Sequence, residues 1–396
     1  MNILYVSPFS HGVNVSPILN IAHLLANRGH NVHFYTVKTS YIKFREKDVK
    51  MAEIPKNVHM HYINNYFLIK SVAYPFINPL NEYYDLKNLI KEHNIDLIHF
   101  IFPEFLTCLP LLRKTSLGVP TVLSINGIPG YDWFYNNRII DSIGKIYSRF
   151  ISSRIIKNCD IAIISSSKIK KTLDNLDIDV NLKKVTDYGG YYGVDTDLFK
   201  PVDIDEKNRL REKYGLRKGS FIIIYAGRFA KVKRLELIIK SFKKLNYCLQ
   251  GSFLLLVGDG PTKRELVKLA DNRSNIKFMD FVDQKVLSEL YNSSDMFILL
   301  SGGEGNAVSV MEALSSGLPV LGSNVGAVSD IIRIGLNGYL IEDINVEKVV
   351  DLIVLINRKH EELSKNARIY ALKEFSWDSI ITKYEKIYTN LINEEK

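Results

Sequence analysis

The stretch DMFILLSGGEGNAVSVMEALSSGLPVLGS (residues 295–323) joins two short apolar runs through a glycine-rich turn and a mostly apolar segment. The apolar runs at its two ends are typical of buried parallel strands. Gly317 and Pro319 are the residue types that commonly follow a helix C-terminus. The stretch is therefore predicted to be a strand–helix–strand unit whose helix begins near Ala307, with Asn306 as its N-cap.

The same alternation of strands and helices continues through the rest of the chain, and it predicts an α/β fold with two doubly wound domains that face each other across a cleft. The expected domains are residues 1–198 and 218–375, joined by a linker at 199–217 that includes a helix and followed by a C-terminal helix at 376–396. Open α/β sheets bind ligands at the carboxyl ends of their strands. The other predicted strands are NILYVSPF, HNVHFYTV, IDLIHFIF, PTVLSIN, CDIAIISS, SFIIIYAG, SFLLLVGDG, NIKFMDFV and GYLIE.

Composition excludes several protein classes. The chain has 396 residues, which is too long for one core, and its 46% hydrophobic and 24% charged residues are ordinary for a soluble globular protein. Since no apolar run approaches the roughly 18 residues of a membrane span, a transmembrane protein is not expected. The opening MNILYVSPF lacks the basic start of a secretory signal. Three dispersed cysteines argue against disulfides and a cysteine zinc site, and the expected location is cytoplasmic.

The net charge of +9 is concentrated between Trp133 and Thr172, where eight basic and two acidic residues give a local +6. Isoleucines lie between these charges, so the segment predicts basic amphipathic helices. An anionic membrane surface and a nucleic acid are two conceivable partners for such helices. A solvated helix face over an ordinary core stripe is the third interpretation. We favour the membrane and expect no nucleic-acid partner.

Basic residues crowd the turn that follows the predicted strand FIIIYAG, where a helix begins. They are Arg228, Lys231, Lys233 and Arg234. Cations at a helix N-terminus oppose the helix dipole, which favours negative charge there. The cluster therefore indicates an anion such as a phosphate, held by the basic side chains and the helix N-terminus together. A basic surface loop with no ligand is the alternative.

Two glutamates occupy the quoted stretch, Glu304 in the glycine-rich turn and Glu312 in the helix. Burying a carboxylate is costly unless a group hydrogen-bonds it. The two acceptors suit sugar and ribose hydroxyls. Alternatively, Glu304 complements the helix dipole and Glu312 pairs with a polar group of the core.

Metal-binding patterns are weak. Asp195 with Asp197, and Asp203 with Asp205, form Asp-x-Asp pairs, but both lie in linker-like sequence rather than after a buried strand. Neither a P-loop nor a complete dinucleotide fingerprint is present. No metal and no cofactor are expected.

Taken together, these motifs resemble family 4 of the retaining glycosyltransferases, which have the GT-B fold with two Rossmann-like domains. Glu304 and Glu312, with seven residues between them, are followed by a segment similar to that family's signature. The resemblance extends nearly end to end. The segments that carry it are AGRFAKVK, YGVDTDLFKP, LLLVGDGP, FVDQKVLSELYNSSDMFILLS, ALSSGLPVLGSNVGAVSDII, NGYLI and FSWDSIITKYEKIY.

The resemblance implies that Arg228 and Lys233 bind a donor diphosphate, that Glu304 contacts the sugar and that Glu312 contacts the ribose. Catalysis would depend on Glu304, Arg228 and Lys233. Gly12, in the loop that begins at Ser10, and Asn126 would face the cleft from the N-terminal domain. The donor-binding residues implied are Arg228, Lys233, Glu304, Gly305, Asn306, Ala307, Val308 and Glu312.

The chain departs from the family pattern at Asn126, where histidine is common, at Val13, and at Arg234, where glycine is usual. The function implied is transfer of a hexose from a UDP- or GDP-linked sugar to an acceptor hydroxyl, on a glycan or a lipid-linked sugar, without a metal. Peripheral attachment to the membrane through the basic segment is the accompanying hypothesis. A nucleotide-sugar epimerase of the same fold and a non-catalytic partner subunit of an active transferase are the alternatives.

Overall fold

The structure is a computed structural model that describes residues 1–9, 16–37, 55–63, 66–69, 74–131, 138–179, 181–183, 192–245 and 247–394. The chain forms two compact units. One comprises Met1–Tyr191 with Ile381–Lys396, and the other comprises Tyr192–Ile380. Within the described residues, no helix combines the length and the apolar character that crossing a bilayer requires.

The first unit is built on a parallel sheet of seven strands. Seven strands form this sheet and two more form a separate hairpin. In chain order, the strands of the unit are β1 (Asn2–Ser7), β2 (Asn31–Val37), β3 (His59–Ile63), β4 (Tyr66–Ile69), β5 (Tyr74–Ile77), β6 (Leu97–Ile101), β7 (Thr121–Ile125), β8 (Ile161–Ile164) and β9 (Leu182–Lys183). The sheet order is β3-β2-β1-β6-β7-β8-β9, and β4 and β5 pair separately as an antiparallel hairpin. Its α-helices are α1 (Ser16–Asn27), α2 (Pro79–His93), α3 (Arg138–Tyr147), α4 (Ser153–Asn158) and α5 (Ser167–Asn175).

The second unit has a six-stranded parallel sheet. Its strands are β10 (Ile222–Ala226), β11 (Phe253–Val257), β12 (Ile276–Met279), β13 (Met296–Leu299), β14 (Val320–Ser323) and β15 (Gly338–Ile341). The order β12-β11-β10-β13-β14-β15 is the Rossmann order, with its switch point between β10 and β13. The remaining helices are α6 (Ile204–Lys213), α7 (Leu235–Leu245), α8 (Lys263–Ala270), α9 (Gln284–Asn292), α10 (Val308–Ser315), α11 (Gly326–Ile331), α12 (Val346–Arg358), α13 (His360–Phe375) and α14 (Trp377–Glu394).

The predicted fold class is confirmed. Each strand expected from an apolar run is present, and the central strands β6, β7, β10, β11, β13 and β14 are buried at every position. Helices cover both faces of a parallel sheet, so such strands carry continuous apolar sequence.

The last part of α14 is anchored in the core of the first unit by a buried polar network. The Tyr5 and Tyr388 hydroxyls lie 2.7 Å apart, and His99 contacts the Tyr388 hydroxyl through Nδ1 at 2.6 Å and Ser124 Oγ through Nε2 at 2.7 Å. Burial lowers the pKa of His99 to about 3, so this imidazole is neutral at physiological pH. The network fixes Tyr388 of α14 against strands β1, β6 and β7.

Candidate functional site

Two loops of the second unit meet at the switch point of its sheet. One follows β10 and runs from Gly227 to the short 3-10 turn at Lys231–Lys233, and the other follows β13 and leads into α10. Both leave the sheet at the carboxyl ends of neighbouring parallel strands, which is where open α/β sheets bind ligands. Most of the site residues predicted from the sequence lie on these two loops.

Hydrogen bonds hold the two loops together. The backbone N–H of Gly302 donates to the Val232 carbonyl at 2.7 Å. The Ser301 hydroxyl donates to the Gly303 carbonyl at 2.9 Å, and the Ser323 hydroxyl donates to the Ser301 carbonyl at 2.6 Å. The glycine-rich turn is therefore held in a fixed position beside the basic turn.

The structure brings Lys233 and Glu304 into contact although 71 positions separate them, because Lys233 Nζ donates to Glu304 Oε1. Both side chains are mostly buried. A mostly buried cation and carboxylate hold each other in place, since either charge alone would be poorly solvated. The arrangement presents a positive charge and carboxylate oxygens side by side.

Arg228 lies on the same basic turn, exposed to solvent. Its backbone carbonyl accepts a hydrogen bond from the Tyr225 hydroxyl at 2.9 Å. Burial and the nearby Glu304 carboxylate both raise the pKa of Tyr225, so this phenol is a neutral donor. Tyr225 thus fixes the backbone from which Arg228 extends.

Arg234, which follows Lys233, has a left-handed backbone with φ of 51°. Glycine reaches this region at little cost, which gives a physical reason for the family's preference at this position. The Arg234 guanidinium reaches back toward the glycine-rich turn, since a Cβ placed on Gly302 would lie 3.4 Å from Nη2. The departure from the family pattern therefore adds a third cation near the site.

The loop that carries Glu304 rests on the start of α11. The Ala327 N–H donates to the Glu304 carbonyl at 3.2 Å. Gly326 has φ of +50°, and a Cβ at this position would lie 2.1 Å from the same carbonyl oxygen. Only glycine allows the backbone to approach this closely, so Gly326 sets the position of Glu304.

The predicted N-cap is wrong. Helix α10 begins at Val308, and the residue before it, Ala307, has a left-handed backbone with φ of 45° and no side-chain cap. An N-cap needs an extended backbone directly before the helix, which the turn at Ala307 does not provide. The predicted helix end is confirmed, because Gly317 follows α10 with φ of +76°.

Asn306 is not the N-cap of α10, but its side chain carries a buried oxygen. Its Oδ1 atom is buried and has no hydrogen-bond partner within the part of the chain that the structure describes. Buried polar atoms are nearly always hydrogen-bonded, and each exception calls for an explanation. A ligand hydroxyl beside Glu304 would supply the missing donor. The first N–H groups of α10, which begins at Val308, also lack helical acceptors.

Glu312 is buried on α10, and its burial raises its pKa to about 8. A hydrogen bond from Tyr291 on α9 opposes this shift without cancelling it. The carboxyl is therefore mostly protonated at neutral pH, with Tyr291 as a hydrogen-bond partner. The Tyr291 hydrogen bond fits the alternative in which Glu312 pairs with a polar group of the core.

Of the two residues expected in the first unit, the structure describes Asn126, directly after β7. Its Oδ1 is buried and lacks a hydrogen-bond partner among the described residues. Gly12 lies outside the described residues, as do Ser10 and Val13. The expectation for Gly12 thus stays a prediction.

The Asp-x-Asp pairs have local structural roles. Asp195 Oδ1 accepts from the N–H groups of Asp197 and Leu198, at 3.1 and 2.9 Å. Asp203 caps α6 by accepting from the Glu206 N–H at 2.8 Å. These hydrogen bonds explain the aspartates without a metal ligand role.

Sequence reasoning missed Tyr225, Tyr291 and Gly326, which position the predicted residues. A tyrosine in an apolar strand or helix is most often a core residue, so neither tyrosine carried a separate signal. Gly326 could have been suspected from its place in the short turn after β14, three residues beyond Ser323.

Two family models match the chain over most of its length. The model described as Glycosyl transferases group 1 matches residues 206–373, and the one described as Glycosyltransferase Family 4 matches residues 14–184. The chain belongs to the family 4, group 1 glycosyltransferases. It is therefore a glycosyltransferase of the GT-B type, and the stated resemblance is confirmed.

Similar proteins span nearly the whole chain. N-acetyl-alpha-D-glucosaminyl L-malate synthase of Bacillus anthracis is 27% identical over 94% of this glycosyltransferase and 92% of its own length. Alpha-monoglucosyldiacylglycerol synthase of Acholeplasma laidlawii is 24% identical, with 98% and 95% covered. Among solved structures, HepE of Anabaena in complex with UDP has a TM-score of 0.74 at 16% identity, covering 98% of this chain and 100% of that one.

Proposed function

We propose that this glycosyltransferase takes a hexose from a UDP- or GDP-linked donor and transfers it to an acceptor hydroxyl with retention of the anomeric configuration. The observation that carries the proposal is the Lys233–Glu304 pair at the switch point, beside the N-terminus of α10. The HepE structure with bound UDP, which has the same fold, supports a nucleotide donor.

The site divides into a phosphate part and a hydroxyl part. Arg228, Lys233 and the first N–H groups of α10 would hold the diphosphate, because helix N-termini and fixed cations both favour anions. Glu304 would accept hydrogen bonds from the sugar hydroxyls, and Asn306 Oδ1 would accept another. Glu312 would accept hydrogen bonds from the ribose.

In the proposed reaction, the bond between the anomeric carbon and the diphosphate oxygen breaks as the acceptor oxygen bonds to the same face of that carbon. The acceptor proton passes to the departing phosphate, so no side-chain nucleophile is required. The positive charges of Arg228 and Lys233 stabilise the diphosphate as its negative charge grows. These two cations would take the part that a divalent ion plays elsewhere, which supports a metal-independent transfer.

The donor proposal is tested by incubating the full chain with radiolabelled UDP-glucose, UDP-galactose, UDP-N-acetylglucosamine or GDP-mannose. Each donor is supplied with vesicles containing diacylglycerol or a lipid-diphosphate sugar, and without them. We expect one donor to lose its sugar to an acceptor, with the same rate in EDTA. Loss of transfer on chelation, restored by Mn²⁺ or Mg²⁺, would contradict the metal-independent mechanism. Interconversion of two donor sugars without transfer would indicate an epimerase.

For the acceptor, we propose a lipid-linked molecule reached from an anionic membrane surface. The interpretation in which the isoleucines of the basic segment form core is wrong for a stripe on α3 and the turn after it. Ile139, Ile143, Ile146 and Phe150 are 55–72% exposed and recur at helical spacing. Lipid is the occupant that fits, because exposed cations surround this apolar stripe. They are Arg138, Lys145, Arg149, Arg154 and Lys157.

Liposome co-sedimentation tests this attachment. Since each Lys or Arg near an anionic surface contributes about 1 kcal/mol, changing four cations to glutamine should abolish most binding to anionic vesicles. The four are Lys145, Arg149, Arg154 and Lys157. A control variant with Lys240, Arg264, Lys268 and Lys285 changed to glutamine loses the same charge from exposed positions of the second unit and should bind like the parent. Equal loss in both variants, or no binding by the parent at low salt, would favour a soluble acceptor.

A further inference from the structure

Three histidines of the first unit converge at one edge of its sheet. His33 lies on β2, His61 lies on the neighbouring strand β3, and His93 is the last residue of α2. Each offers a ring nitrogen, and these three nitrogens lie within 4.8 Å of one another. The group belongs entirely to the first unit, whereas the proposed donor site belongs to the second.

The rings are packed closely, and one is buried. His33 is only 3% exposed, its ring centroid lies 4.3 Å from that of His93, and its Nδ1 lies 2.9 Å from His61 Nε2. The other nitrogen of His33, Nε2, is buried without a hydrogen-bond partner among the residues that the structure describes. An orphaned imidazole nitrogen in a cluster of imidazoles points to a missing ligand.

The protonation state suits metal binding. Burial, followed by the neighbouring histidines, lowers the pKa of His33 to about 4, and the same causes lower the pKa of His61. His59 stacks on His33 and Glu92 acts on His61 in the opposite direction, raising its pKa. His33 is therefore neutral at physiological pH, and neutral imidazole is the form that binds metals.

We propose that His33, His61 and His93 form a binding site for a divalent transition metal ion, with Zn²⁺ as its ion. Imidazole is a ligand of choice for zinc. Zinc–nitrogen bonds of about 2.0–2.1 Å place tetrahedral ligand nitrogens about 3.4 Å apart, so small side-chain rotations from the observed spacing suffice. The mostly exposed Glu92 carboxylate lies 3.9 Å from His93 Nε2, at the margin of the cluster.

Such an ion would join β2, β3 and the end of α2, and thus hold an edge strand to the sheet. Its role is structural and separate from sugar transfer. EDTA would therefore remove the stabilisation of the first unit while leaving transfer intact. Sequence spacing alone hides this site, because 28 and 32 positions separate the three histidines; HMH at residues 59–61 is the single local signal.

The test uses the full-length chain dialysed free of metal. Titration with Co²⁺ should produce the visible absorption bands of a tetrahedral site, and Zn²⁺ should abolish them. After reloading with Zn²⁺ and removal of the excess, atomic emission should find one zinc per chain. Zn²⁺ should also raise the Tm. His61→Gln and His93→Gln should each weaken Co²⁺ binding by about 100-fold or more, since even outer-shell changes cost about 10–100-fold.

His23→Gln is the matched control, because His23 lies in the same unit and hydrogen-bonds Asn57 instead. It should bind Co²⁺ like the parent. Near-UV circular dichroism shows whether each variant is folded before metal is added. Absence of tetrahedral Co²⁺ bands in the parent would overturn the proposal. So would folded His61→Gln and His93→Gln variants that bind Co²⁺ with the affinity of the parent.

Discussion

Replacing Lys233 with alanine is expected to lower kcat/KM for sugar transfer about 10- to 150-fold, because losing a charged hydrogen bond costs about 1.5–3 kcal/mol. Two effects act together. The diphosphate loses a fixed cation, and Glu304 loses the ammonium that Lys233 Nζ places beside it. Donor binding and turnover should therefore fall together. Arg228→Ala should act in the same direction.

Lys231→Ala provides the control, since Lys231 is an exposed cation of the same turn that is not assigned to the diphosphate. Its kinetic constants should stay near those of the parent. Binding of UDP and GDP is measured by calorimetry alongside the rates. If Lys233→Ala and Arg228→Ala both bind these nucleotides as the parent does, the diphosphate assignment is wrong.

Replacing Gly326 with alanine should lower kcat/KM by about 100-fold or more, since a displacement of about 1 Å at a positioned group can cost this much. The added Cβ would lie 2.1 Å from the Glu304 carbonyl oxygen, so the loop must move. Gly326→Ala leaves every charge of the site in place. The loss would therefore come from geometry alone.

The Gly335→Ala variant separates the effect of the close contact with the Glu304 carbonyl from the effect of backbone strain. Gly335 also has positive φ, at +77°, but no atom lies within 4 Å of its added Cβ. Both variants share the cost of a left-handed alanine, about 1–2 kcal/mol, which chemical denaturation measures. A Gly326→Ala enzyme as active as Gly335→Ala would show that the loop position does not govern catalysis.

The buried parallel strands were predictable because their apolar runs are continuous, whereas β3 was not. Its sequence, HMHYI, is half exposed at the edge of the sheet and carries two histidines that mask its strand character. The basic segment shows a different limit. A pattern of charges between isoleucines is compatible with isoleucines that are buried in the core and with isoleucines that are exposed. Only the packing in the structure shows that Ile143 and Ile146 face solvent.

Individual residues of the candidate site were predictable from the sequence, whereas their arrangement in space was not. The sequence indicates an anion site at Lys233 and hydroxyl acceptors at Glu304 and Glu312. The contact between Lys233 and Glu304 depends on which strands are neighbours. Strands β10 and β13 become neighbours only through the switch in strand order. The N-cap prediction failed because the loop enters α10 through a left-handed backbone at Ala307, which residue types and spacing did not indicate.

In the proposed complex, the protonated Glu312 carboxyl would link nucleotide exchange to the pH of the medium. With a pKa of about 8 it holds a proton at neutral pH, whereas ribose hydroxyls that donate to it favour the carboxylate. In the proposed complex, arrival of the nucleotide would release nearly one proton to the solvent, and departure of the nucleoside diphosphate would take one back. Because binding releases a proton, nucleotide affinity would fall by up to about tenfold for each pH unit below 8. Each catalytic cycle would thus move one proton out of the second unit as the nucleotide enters and one proton back as the nucleoside diphosphate leaves.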